Sequence, residues 1–120
     1  NDNEIILDIG PKTIDNILDI IESSKTVLWN GPAGYFENKK FMIGTLAIAK
    51  KISENTSKKS LISIVGGGDT IAAMHDSNNE FFFTHLSTAG GAFLVFLEDK
   101  VVPDLFVLQL IFSYYFTCSC

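Results

Sequence analysis

The chain has 120 residues, of which 47% are hydrophobic and 19% charged, a globular composition sized for one domain or part of one. A formal charge of −5, with nine lysines and no arginine, excludes a basic nucleic-acid surface and leaves the chain without a planar, bidentate phosphate clamp of its own. Residue 1 is Asn, with neither an initiator Met nor a signal-like opening, and the chain is expected to be a piece of something longer.

Hydrophobic periodicity divides the chain into alternating elements. Ile14, Ile17, Leu18 and Ile21 share one helical face after Thr13, the expected N-cap, with Pro11 excluding an earlier start. "KTVLWN" (residues 25–30) reads as a short buried strand that ends at the turn "NGPAGYFEN". A second helix fits residues 41–52, where Met42, Leu46 and Ala49 form a stripe with Ile48 and Ile52 beside it, and "ENTSKKS" is its polar exit loop. "LISIV" (residues 61–65) is a second strand, and a third helix begins at residues 70–75. A third strand is expected in "FFFTHLS" (residues 81–87), followed by the turn "TAGGA" and a helical run over residues 93–97. Strands alternating with helices through short glycine turns predict an α/β fold, a parallel sheet with helices packed on it. No repeat and no interdomain linker interrupts the pattern.

In an open parallel sheet the C-terminal ends of all strands share one edge, where ligands bind. Three glycine turns are expected there: "NGPAG", "GGGDT" and "TAGGA". Gly66, Gly67 and Gly68 carry a high entropic cost inside any regular element, so something must require them. Backbone N–H groups at a glycine turn that opens a helix face a phosphate without side-chain obstruction, and Asp69 beside it offers oxygen ligands to a metal. Tight strand-to-helix turning alone also explains glycine at any one of these places. The spacing matches neither G-x-G-x-x-G nor a Gly-Lys-Ser/Thr phosphate loop, so the residues alone lead to a nucleotide or phosphate binder.

Five motifs in order carry this further: "DIGPKTI", "TVLWNGPAGYFE", "FMIGTLAIAKKI", "IVGGGDTIAA" and "HLSTAGGAFLVFLEDK". Together they resemble the C-terminal part of phosphoglycerate kinase, from residue 8 to Pro103. The resemblance implies a partial doubly wound, Rossmann-like sheet, the closing part of that family's nucleotide-binding domain, over residues 1–103. It also implies reversible phosphoryl transfer between ATP and 3-phosphoglycerate in glycolysis, with Mg²⁺ accompanying ATP or ADP. Under it Asn30, Pro32 and Gly34 line the nucleotide, Glu37 accepts from the ribose hydroxyls, and Gly66, Gly67, Gly68, Asp69 and Thr70 surround the phosphates. Asp69 is then the Mg²⁺ ligand, and Gly68 and Gly91 direct N–H groups at the transferring phosphoryl. Two plainer roles stand beside these: a helix N-cap for Asp69 and a first-turn acid favourable to the helix dipole for Glu37.

The chain departs from the family pattern at Ala89, at Tyr35, which either crowds the ribose pocket or adds a packed ring, and after Pro103. Residues 104–120 form an atypical apolar tail, too short for a membrane span; a strand, a docked helix and aberrant sequence are its readings, the last preferred. Cys118 and Cys120 are read as free thiols suited to the cytoplasm, and His75 and His85 as structural. The basic phosphoglycerate site implied by the resemblance belongs to an N-terminal domain outside these residues, so the isolated chain is expected to be inactive. The alternative is a split or decayed fragment acting as a weak nucleotide-binding or interaction module. Self-association through an exposed sheet edge or the tail is expected; nucleic-acid and membrane partners are not.

Overall fold

A computed structural model describes residues 4–88 and 105–109. Helix α1 spans Pro11–Ser23. Proline suits the first helical position, where its N–H would be unpaired anyway and its fixed φ is already helical. The expected cap at Thr13 is therefore corrected: Gly10 is the N-cap, and its carbonyl accepts the Ile14 N–H at 3.0 Å. Ile17 and Ile21 form the buried stripe, each contributing about 1.5–3 kcal/mol by leaving water. The helix ends where the Ser23 and Ser24 hydroxyls both donate to the Ile20 carbonyl, at 3.0 and 2.6 Å.

Strand β1 (Thr26–Asn30) is buried from Thr26 to Trp29, as a central strand covered on both faces should be. After a short 3₁₀ turn at Lys39–Phe41, helix α2 runs Ile43–Ser57, starting later than expected and continuing through most of the predicted exit loop. Tertiary partners keep those polar residues helical. The Asn55 amide donates to Glu22 Oε2 at 3.0 Å, and the buried Thr56 hydroxyl reaches the Ile52 carbonyl and Ser63 Oγ. Lys51 adds an ion pair to Glu22 at 2.5 Å, so α1 and α2 are tied along one side.

Strand β2 (Ile62–Gly66), helix α3 (Gly68–Asp76) and strand β3 (His85–Ser87) follow. The expected third strand is shortened because residues 81–84 make side-chain ties instead of a ladder: Thr84 exchanges two 3.0 Å bonds with Ser63, and Phe82 N–H donates to Ser53 Oγ. Strand β4 (Leu105–Gln109) pairs with β1 in parallel, from Thr26 opposite Leu105 to Asn30 opposite Gln109. This corrects the preferred reading of the tail as sequence without a slot: its first residues are a sheet strand, and Leu108 is buried. The predicted helical run at 93–97, residues 89–92 of the expected turn "TAGGA" and both cysteines lie outside the described residues.

The sheet order is β3-β2-β1-β4, with every pair parallel. The chain steps outward from β1 to β3, then returns to the far side of β1, a reversal of the kind that opens a crevice at strand C-terminal ends. Val27, Trp29, Ile48, Ile52 and Val65 are fully buried at the centre of the core, with Ile21 and Leu108 packed around them. Among the described residues no helix is long and apolar enough to cross a membrane.

Candidate functional site

The C-terminal ends of β1, β2 and β3 place Asn30, Gly66 and Ser87 side by side, through the pairs Asn30–Gly66 and Gly66–Ser87. The three glycines of "GGGDT" divide their labour. Gly66 is the buried last residue of β2, Gly67 is the turn, and Gly68 opens α3. Gly67 has φ 98°, where an L side chain is strained, and a Cβ there would also lie 2.6 Å from Asn30 Oδ1. Its N–H donates to the Ser87 carbonyl at 3.0 Å, joining the turn to β3.

Gly31 repeats the conformation at the end of β1, also at φ 98°. Its N–H donates to Thr70 Oγ1 at 2.8 Å, and its carbonyl accepts the Trp29 indole N–H at 2.8 Å. Thr70 is fully buried, so its hydroxyl links the two glycine turns. Asn30, Gly31, Gly67 and Thr70 thus form one packed unit.

Gly67, the N-cap of α3, carries no side chain to cap the helix, so the first-turn N–H groups of Gly68, Asp69 and Thr70 have no acceptor within it. An exposed helix start of this kind favours an anion. Around Gly68 a Cβ would meet nothing within 4 Å, and both Gly68 and Asp69 are exposed. Asp69 lies in the first turn of the helix, one residue inside it, so the plainer N-cap reading is corrected to Gly67. Among the described residues no three His, Cys, Asp or Glu side chains gather to hold a metal. Asp69 is the single acidic side chain in the first turn of α3.

The other wall is the loop after Gly31. Pro32 and Gly34 are buried, and the Ala33 N–H donates to the buried Thr45 hydroxyl at 2.9 Å. Glu37 is exposed and accepts the Tyr35 hydroxyl at 2.9 Å. That hydrogen bond, with the negative charge behind it, raises the Tyr35 phenol above its ordinary value. The hydroxyl contact makes Tyr35 a companion of the Glu37 carboxylate. Gly91 lies outside the described residues. His75 is exposed in the last turn of α3. A cavity of about 310 Å³ opens between α3 and β3, lined by Ile71, Met74, Phe81, Phe83 and Leu86, and includes none of the predicted site residues.

Sequence reasoning gave Asp8 and Thr45 no role, yet Thr45 accepts the Ala33 N–H, and the Asp8 carboxylate lies against Gly34 and the start of α2. Asp8 Oδ2 accepts the Gly44 N–H at 3.1 Å from 36 positions away. The available signal was Gly44 itself, a costly residue near the start of a helix.

Comparisons with known proteins agree with this geometry. The family model described as phosphoglycerate kinase matches residues 1–100. Phosphoglycerate kinase of Leptospira biflexa is 52% identical over 99 residues, 82% of this chain and 24% of that protein. The enzyme of Orientia tsutsugamushi strain Boryong is 48% identical over 112 residues, 93% of this chain and 28% of that protein. The solved phosphoglycerate kinase structure from Coxiella burnetii superposes with a TM-score of 0.69 at 44% identity, covering 85% of this chain and 25% of that one. The chain spans about a quarter of the length of these relatives. Family match, identity and fold agree: the chain belongs to the phosphoglycerate kinase family.

Proposed function

We propose that the chain forms the nucleotide side of a phosphoglycerate kinase, serving reversible phosphoryl transfer between ATP and 3-phosphoglycerate in cytoplasmic glycolysis. The observation that carries this reading is the uncapped start of α3 at the strand C-terminal edge, with Gly68 open and Asp69 exposed beside it. The first-turn N–H groups hold the terminal phosphates and offset charge on their oxygens, a task that needs fixed donors rather than side chains. Gly91 contributes a further N–H in this reading. Asn30, Pro32 and the backbone at Gly34 border the nucleotide, and Glu37 accepts from the ribose hydroxyls. Mg²⁺ bound with the nucleotide neutralises phosphate charge, and Asp69 supplies its protein carboxylate.

The phosphoglycerate site lies outside the quarter of the family protein spanned here, so the isolated chain binds nucleotide and does not turn over. Positioning of the second substrate accounts for up to about 7–11 kcal/mol of barrier reduction in favourable cases, and that contribution is missing. Calorimetry of MgADP against wild type and Asp69→Asn tests the binding role. Weaker binding by the variant supports it, whereas equal affinities or indifference to Mg²⁺ reject it. A coupled assay near intact-enzyme rates would reject the inactivity. A second reading, a non-catalytic interaction module, draws on the exposed Phe82 and Leu86 beside and on β3. Concentration-dependent association by sedimentation, without MgADP binding, favours it.

A further inference from the structure

The loop that carries Glu37 is held by a segment far from it in sequence. Leu7 carbonyl accepts the Tyr35 N–H at 2.7 Å, while the Asp8 carboxylate accepts the Ile9 N–H at 2.8 Å and the Gly44 N–H at 3.1 Å. Both walls around that carboxylate are glycine. A Cβ on Gly34 would stand 2.6 Å from Asp8 Oδ1, and one on Gly44 would stand 2.7 Å from the same oxygen. Helix α2 has Met42 as its N-cap and no side-chain cap nearby in sequence, so Asp8 supplies that acceptor. A cap alone would need only the Gly44 contact. The carboxylate also fills the space that a side chain at Gly34 would take, and the adjoining Leu7–Tyr35 bond ties the loop to the same segment.

We propose that Asp8 is a positioning residue: its carboxylate fixes the backbone of residues 31–38 against the start of α2, and through it the placement of Glu37. The consequence for ribose rests on the nucleotide reading above; the mechanical role does not. Part-buried hydrogen bonds to a carboxylate are strong enough that their loss should be felt locally as an opening of the loop.

Amide hydrogen exchange followed by NMR on the 120-residue chain tests this with Asp8→Ala and Asp8→Asn. Tyr35 is the diagnostic amide, because its acceptor is the Leu7 carbonyl, which neither substitution removes. In Asp8→Ala its exchange should rise about tenfold or more, with Val65 in β2 unchanged. Asp8→Asn, which keeps a carbonyl acceptor, should fall between. Unchanged exchange at Tyr35 overturns the proposal, and so does an equal rise at Tyr35 and Val65, which marks global destabilisation. If Asp8→Ala does not fold, Asp8→Asn is judged by the same comparison. For the ribose consequence, Asp8→Asn should weaken MgADP while leaving Mg²⁺-pyrophosphate binding as in wild type. Equal loss of both overturns that consequence. A wild-type chain that binds neither ligand rejects the nucleotide reading, and Tyr35 exchange still decides the role of Asp8.

Discussion

Replacing Gly67 by Ala tests the geometry of the glycine turn. The residue sits at φ 98°, where an alanine is strained by about 1–2 kcal/mol. Its Cβ would also come within 2.6 Å of Asn30 Oδ1, so the Asn30 side chain must swing away from the turn. Together these should destabilise the chain by about 2–3 kcal/mol, a fall in melting temperature of about 10 °C or more for a domain of this size. Gly68→Ala is the paired control. Gly68 is helical and a Cβ there meets nothing within 4 Å, so alanine should leave stability equal or raise it by about 0.5–1 kcal/mol. The same Cβ would occupy the open face where phosphate is proposed to bind, so MgADP affinity should drop. Thermal melts by circular dichroism and MgADP calorimetry read both. A Gly67→Ala melt within about 2 °C of wild type would refute the strain argument. Undiminished MgADP binding by Gly68→Ala would refute the assignment of the open face.

Thr70→Val keeps the shape of a fully buried side chain but leaves the Gly31 N–H without its acceptor, at a cost of about 1–2 kcal/mol in denaturant unfolding; Thr70→Ser should restore most of it. Glu22 is held below its ordinary value of 4.5 by the hydrogen bond from Lys51, then by Asn55 and the Lys51 charge. Its contribution is therefore complete above that value and lost as pH falls through the lower folded value, so the advantage of wild type over Glu22→Gln near neutral pH should shrink as the pH is taken below 4.5. Truncation before Leu105 removes the strand paired with β1 and the buried Leu108, and should cost at least about 2 kcal/mol in denaturant unfolding. Unchanged stability would mean that β4 adds nothing to the sheet.

The alternation of buried strands and amphipathic helices was legible because local pattern carries it: "TVLWN" is apolar on both faces and became the central strand. Boundaries were less legible, since they depend on partners. Asn55 and Thr56 look like loop residues until Glu22 and Ser63 meet them, and residues 81–84 look like strand until Thr84 bonds Ser63. Pro11 was misread because a proline bars a helix interior yet suits its first residue. The apolar run at residues 105–109 was passed over for its lack of alternation, a pattern that a parallel strand does not require. At the site, the glycine turns and Asp69 were visible as a motif, whereas the second use of Thr70 as a link to Gly31 was not. Asp8 was hidden for a related reason, because its partner is 36 positions away.

Binding of nucleotide at the joined glycine turns can be read residue by residue from amide chemical-shift mapping of the isotopically labelled chain during an MgADP titration. Saturable shifts concentrated at Gly31, Gly67, Gly68, Asp69 and Thr70, diminished in Asp69→Asn, are the expected result. Shifts concentrated instead at Met74, Phe81 and Leu86, around the cavity between α3 and β3, or no shifts at all, would contradict it.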